Sequence, residues 1–128
     1  MKREVYSGLL KLKGDEQRVT LIAALNYAIA LLNLKRIEEA KALLRKSVPT
    51  AGRVLGENDQ LTLKMRKMYA RALYEDASAT LDDLREAVTT LEDIERTARR
   101  VFGGAHPTTK GIEDALRNAR TCEATRSS

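Results

Sequence analysis

Apolar residues recur along this chain every three or four positions, the spacing of one helix face, and no stretch alternates as a credible strand would. Val5, Leu9 and Leu12 predict a short helix over residues 1–13, stopped by Gly14. A second helix is expected over Val19–Asn33, on a broad stripe of Leu21, Ala24, Leu25, Ala28, Leu31 and Leu32. Ile22 and Ile29 lie beside that stripe, so little of this helix is left for water. Leu34-Lys35-Arg36 reads as the turn. The third helix, Ile37–Leu55, places Ile37, Ala40, Leu44, Val48, Ala51 and Leu55 on one side. Pro49 sits within it. Proline lacks the donor for the Arg45 carbonyl and crowds it, at about 3 kcal/mol in a helix interior, so a kink or break is expected near Lys46–Pro49.

Asp59 is placed to cap a fourth helix, Gln60–Tyr74, whose apolar face holds Leu61, Met65, Met68, Tyr69, Ala72 and Leu73. Thr80-Leu81-Asp82-Asp83 resembles a capping box with Asp in the place of Glu. It opens a fifth helix, Leu81–Phe102, with Leu84, Ala87, Val88, Leu91, Ile94, Ala98, Val101 and Phe102 in one stripe. His106-Pro107 starts a sixth, where a first-position proline gives up no hydrogen bond. Ile112, Ala115, Leu116, Ala119 and Cys122 form its inner face, and residues 123–128 are expected to fray.

The turns between helices are alike. Leu55-Gly56-Glu57-Asn58-Asp59-Gln60-Leu61-Thr62 recurs as Phe102-Gly103-Gly104-Ala105-His106-Pro107-Thr108-Thr109, with a weaker copy at Lys13–Thr20. From Gly14 to Gly56 is 42 positions and from Gly56 to Gly103 is 47, periods that indicate a repeat array. Tyr27-Ala28-x-Ala30-Leu31 matches Tyr69-Ala70-x-Ala72-Leu73, and Glu39-Ala40 matches Glu86-Ala87. The extra five positions fall in the loop Glu75–Asp83. The expected fold class is therefore all-α: antiparallel helix hairpins stacked in a short solenoid, as a single domain. Residues 1–13 would complete a preceding repeat, 14–55 and 56–102 would be two repeats, 103–122 a half repeat, and 123–128 a tail.

Charge and composition add limits. Of 128 residues, 23 are basic and 18 acidic, a mildly basic balance of mixed sign rather than the concentrated charge of a nucleic-acid domain. No apolar run reaches the ~18–20 residues of a membrane span. The N-terminus leads into no apolar signal core. A single cysteine, Cys122, excludes an intrachain disulfide and points to a reducing, cytoplasmic setting. No zinc spacing, calcium loop or phosphate-cradling glycine loop occurs, so no cofactor or metal is expected. His106 has no catalytic partner beside it. A pairing with Cys122 would need the fold to join residues that one helix holds about 24 Å apart. No enzyme is expected.

The turn Phe102-Gly103-x-x-His106-Pro107-x-Thr109 resembles the signature between repeats of kinesin light chain-type tetratricopeptide proteins. Asp59-Gln60 replaces His-Pro in the middle copy, and Gln17-Arg18 replaces it in the first. Asn26-Tyr27-Ala28 is similar to the family's Asn-Leu-Ala, degraded at Met68-Tyr69-Ala70, and Glu39-Ala40 and Glu86-Ala87 to its Glu-Ala. The resemblance spans nearly the whole chain. It implies a right-handed solenoid in which the first helix of each pair lines a concave groove, and a role as a protein-binding adaptor or scaffold for extended acidic peptides.

Projected onto that groove, Lys64, Lys67 and Arg71 stand at i, i+3 and i+7 and share one face, with Tyr74 near the same line. A basic stripe beside an aromatic suits an acidic peptide with an apolar anchor. The resemblance assigns Asn26 to the bound peptide's backbone, and a side-chain amide can both donate to and accept from it. Ile22 and Ile29 would offer an apolar pocket, unless they pack on a neighbouring repeat. Asp114 and Asn118 extend the line more weakly. The solvated-surface alternative applies to all of these positions.

Other readings stay open. Two helix pairs with a half pair at each end fall short of the roughly three repeats a solenoid needs. Either the array is longer, or its open ends associate with another chain, as in a structural or oligomerisation segment. Arg117 and Arg120 replace the apolar Ala70 and Leu73 of the repeat before, as a polar cap would. An RNA-binding repeat would use Arg96, Arg99, Arg100, Lys110, Arg117 and Arg120. Aromatic residues, at 4%, leave it little stacking platform.

Overall fold

The computed structural model describes residues 9–127, with side chains from residue 17 onward. The described residues form five α-helices and no strand: α1 (Leu9–Asn33), α2 (Ile37–Leu55), α3 (Gln60–Glu75), α4 (Leu81–Phe102) and α5 (Pro107–Ser127). Each helix packs on the next, and α1 also touches α3, and α3 touches α5. No other pair of helices meets among the described residues.

The core follows this order. Leu21, Leu25 and Ala28 of α1 meet Leu44 and Ala51 of α2 and Leu61 and Met65 of α3. Leu31 and Leu32 close a smaller cluster with Ala40 and Ala72. On its other side, α3 presents Leu63, Ala70 and Leu73 to Ala87, Leu91 and Ile94 of α4 and to Ile112, Leu116 and Ala119 of α5. Helix α3 thus serves two cores at once. Each fully buried leucine contributes roughly 1.5–3 kcal/mol of transfer free energy, so the sandwiched α3 holds both halves together.

The turns behave mostly as their chemistry dictates. Asp59 accepts from the Leu61 amide at 2.9 Å. The Thr80–Asp83 capping box is complete: the Asp83 amide donates to Thr80 Oγ1 at 3.1 Å, and the Thr80 amide to Asp83 Oδ2 at 3.0 Å. Gly56 and Gly103 end α2 and α4 with φ of 96° and 93° and ψ of 156° and 160°, a region essentially restricted to glycine. His106 stacks on Phe102, with ring centroids 4.7 Å apart, and its Nδ1 accepts from the Thr108 amide at 3.1 Å. It therefore does for α5 what Asp59 does for α3.

Two expectations are corrected, and one choice between alternatives is narrowed. Gly14 does not stop a helix: α1 runs unbroken from Leu9 through the weak turn copy at residues 13–20. A mid-helix glycine costs only about 1 kcal/mol, and Gln17 stands where Asp59 and His106 cap the helices after the later glycines. Residues 1–8 of the expected first helix lie outside the described residues. Of the kink or break expected near Pro49, the break does not occur: α2 is continuous through it. Both Pro49 and Arg45 face solvent, so the unpaired Arg45 carbonyl can be hydrated. The end does not fray at residue 123: α5 continues to Ser127, and Arg126 donates to the Ala77 carbonyl at 3.4 Å.

The α1–α2 turn has a device the sequence hid. The Arg36 amide reaches back to the Leu31 carbonyl at 2.8 Å and the Lys35 amide to that of Leu32 at 3.0 Å, the two bonds of a Schellman motif. Its left-handed position is filled by Lys35, with φ of 64°, where glycine is usual.

Candidate functional site

The projected residues come from the three odd-numbered helices, and cross-contacts tie these to one face. Ile22 and Asn26 of α1 and Lys64 of α3 line one depression of about 300 Å³, floored by Leu25 and Leu61 and edged by Arg18 and Gln60. Ile22 is more than a third exposed, which leaves its side chain available to a ligand. Ile29 does not join it. It is half-buried and packs against the α1–α2–α3 core cluster.

Farther along α3, the Arg71 Nη2 donates to Asn33 Oδ1 of α1 at 3.3 Å. Its Nε meets Glu75 Oε2 at 2.7 Å, so the charge of Arg71 is partly answered within the chain. Asn33 was not singled out from the sequence. The signal was available, because Asn26 and Asn33 stand seven positions apart and share a helix face.

Lys67 lies between Lys64 and Arg71, half-buried. Its ammonium reaches over α5 at Gly111, where an added Cβ would lie 3.0 Å from Nζ. Burial pushes its pKa below the usual lysine value, and Lys64 and Arg71 push it further, with Asp114 opposing. It has no ion-pair partner within 4.0 Å among the described residues. Tyr74, on the next turn, lies near Asn118 of α5, and burial raises its pKa. Chemically, then, this face offers two cations with unspent attraction, an exposed amide, an exposed isoleucine and a half-buried phenol.

The arginines of the alternative basic surface are mostly committed elsewhere. Arg96 pairs with Asp93 at 3.6 Å, Arg99 with Glu95 and Glu113, Arg117 with Asp114 at 2.9 Å, and Arg120 with Glu92 at 2.9 Å. A phosphate backbone would have to displace those carboxylates.

A second polar centre escaped the sequence reading. Lys41 is 8% exposed and donates to Asp76 Oδ2 at 3.0 Å, with Glu38 Oε2 at 3.1 Å. Burial alone would lower the Lys41 pKa, but the carboxylates Asp76 and Glu38 outweigh it and hold it above the ordinary value. Asp76 is held down at about 2, first by the Ser78 amide, then by Lys41 and the Ser78 hydroxyl. This cluster ties α2 to the α3–α4 loop. Among the described residues, no group of three or more His, Cys, Asp or Glu side chains is arranged to hold a metal ion. Among the described residues, no helix is long and apolar enough to cross a membrane.

No protein-family model matches the chain, and it matches neither a curated protein nor a solved structure.

Proposed function

We propose that this chain is a tetratricopeptide-like helical-repeat module, without enzymatic activity, that binds an acidic peptide segment of a partner protein. The peptide lies in a concave groove made by α1, α3 and α5. The observation that carries this is Lys67: a half-buried cation without an ion-pair partner among the described residues, set between Lys64 and Arg71 on the face those helices share. A carboxylate arriving there meets attraction that the fold leaves unanswered. Asn26 holds the peptide backbone, Ile22 takes an apolar side chain, and Tyr74 borders the far end. The helix order supports the solenoid reading, since α1–α3 and α3–α5 contacts are those expected between successive first helices of stacked hairpins. The lone cysteine supports a cytoplasmic setting.

The test is fluorescence polarisation against a library of acidic and neutral peptides, at low and moderate salt. Wild type is compared with a Lys64→Glu/Lys67→Glu/Arg71→Glu variant whose helicity is checked by circular dichroism. Acidic peptides should bind wild type in a salt-sensitive way and lose the variant. Equal binding to both, or none to either, would overturn the assignment.

A further inference from the structure

The α1–α3 and α3–α5 intervals can be compared position by position. The periods of 42 and 47 that relate the turns make Leu25 and Lys67 counterparts, and likewise Ile22, Lys64 and Gly111. Between α1 and α3, Leu25 lies at the floor, 8% exposed, while Ile22 and Lys64 stand exposed on the two rims. Between α3 and α5 the floor position holds Lys67, and the rim position on α5 holds glycine. The same step of the repeat therefore exchanges an apolar floor for a cation and a rim side chain for none.

The two exchanges belong together. A lysine at a floor position must bring its ammonium back towards water, because an unpaired buried charge is costly. Long basic side chains do so by laying the stem along apolar surface and keeping the head wet. On its own helix, Lys67 is flanked at i−3 and i+4 by Lys64 and Arg71, whose charges oppose that direction. Its ammonium instead leans over α5, where a Cβ added at Gly111 would lie 3.0 Å from Nζ. Asp114, one turn further along α5, attracts it from the same side, although its carboxylate is taken by Arg117 at 2.9 Å. The helices do not close the gap by approaching: Gln60 Nε2 donates to Thr108 Oγ1 at 2.7 Å near the start of both and holds them in place.

The backbone gives no reason for a glycine here. Gly111 lies inside α5, and the positive-φ glycines are Gly56 and Gly103. Within a helix, glycine is otherwise an unfavourable choice.

We infer that Gly111 is a positioning residue for Lys67: the side chain it lacks leaves the opening through which Lys67 brings its charge to the groove, so Gly111 sets how strongly an acidic ligand is held. For its effect on binding, this rests on the groove reading above.

Gly111→Ala and Gly111→Ile, the second restoring the residue at position 22, test it. Both should stay folded, since either residue forms helix better than glycine, and circular dichroism checks this. Burial, then Lys64 and Arg71, already hold Lys67 below the usual lysine pKa. In the free protein, the Lys67 ammonium followed by nuclear magnetic resonance should titrate lower still in the variants, further with isoleucine than with alanine, because the added side chain shuts out water. Acidic library peptides, read by polarisation at neutral pH, should bind Gly111→Ile roughly tenfold more weakly, the scale of one lost charge-assisted hydrogen bond. In a Lys67→Leu background the same substitution should change affinity by less than about twofold, because the group it acts through is gone. An unmoved or raised Lys67 titration, or an equal loss in the Lys67→Leu background, would overturn the proposal. The titration needs no peptide, so a wild type that binds none overturns the groove reading while the titration still decides the role of Gly111.

Discussion

Replacing Lys35 with glycine should stabilise the protein. Lys35 sits at the left-handed position of a Schellman motif, with φ of 64°. For a residue with a Cβ, that conformation costs roughly 1–2 kcal/mol. Lys35 is exposed and makes no ion pair within 4.0 Å among the described residues, so little is lost with its side chain. Glycine removes the steric cost but gives the unfolded chain more freedom, worth about 0.4–1 kcal/mol in the other direction. The net gain should be about 0.5–1 kcal/mol, which raises the melting temperature by about 2–6 °C for a domain of this size. The assay is urea denaturation followed by circular dichroism at 222 nm, a standard helix band, on wild type and Lys35→Gly. The midpoint should rise with the slope unchanged. Gly103→Ala is the converse control and should lower stability by about 1–3 kcal/mol, because its φ of 93° with ψ of 160° suits only glycine. A lower midpoint for Lys35→Gly, or a tolerated Gly103→Ala, would refute the idea that left-handed turn residues set the cost of these junctions.

Other expectations concern buried hydroxyls and charge. Thr62 Oγ1 donates to the Ala51 carbonyl at 3.3 Å, whereas its repeat counterpart Thr109 has a buried hydroxyl oxygen without a partner among the described residues. Thr62→Val should therefore cost about 1 kcal/mol and Thr109→Val should be neutral or stabilising, as thermal melts of the two would show. Asp76, at a pKa of about 2 against an ordinary 3.8, lends stability that is complete above the ordinary value and is lost as pH falls towards 2. The loss should reach about 2 kcal/mol, and denaturation of Asp76→Asn across pH 5 to pH 2 should lack that part of the wild-type decline. Lys67 titrates below the ordinary lysine value, so acidic-peptide affinity should fall as pH rises through that lowered pKa, before the exposed lysines lose charge. Polarisation titrations on wild type and Lys67→Arg would reveal it, since arginine keeps its charge throughout that range.

Most of the fold was legible because helices announce themselves twice, by period and by caps. Asp59, Thr80, Gly56 and Gly103 were found by chemistry that acts within a few residues. Gly14 misled because a glycine alone does not stop a helix, and Gln17 replaces the capping Asp59 or His106 that follows the later glycines. Lys35 was illegible because a left-handed lysine has no local signature, and its conformation follows from the bonds to Leu31 and Leu32. At the site, the spacing of Lys64, Lys67 and Arg71 was readable from one helix. Their differences were not. Arg71 is bound to Asn33 and Glu75 while Lys67 has no such partner among the described residues, and that depends on which helices flank α3. Lys41 escaped for the same reason, since its partner Asp76 is 35 positions away.

The helix order also bears on how the chain folds and opens. Among the described residues, contacts reach only the next helix or the one after it. A chain built this way has a low contact order, so it closes short loops first and should fold quickly. Among the described residues, nothing ties α1 to α5. Helix α5 can detach without disturbing any contact of α1, and the reverse is equally true. Hydrogen exchange should therefore be slowest at the centre of α3 and speed up towards both termini in steps, one helix at a time. A substitution in α3 should weaken both halves, whereas one in α5 removes support from α3 and α4 and leaves the contacts of α1 with α2 in place.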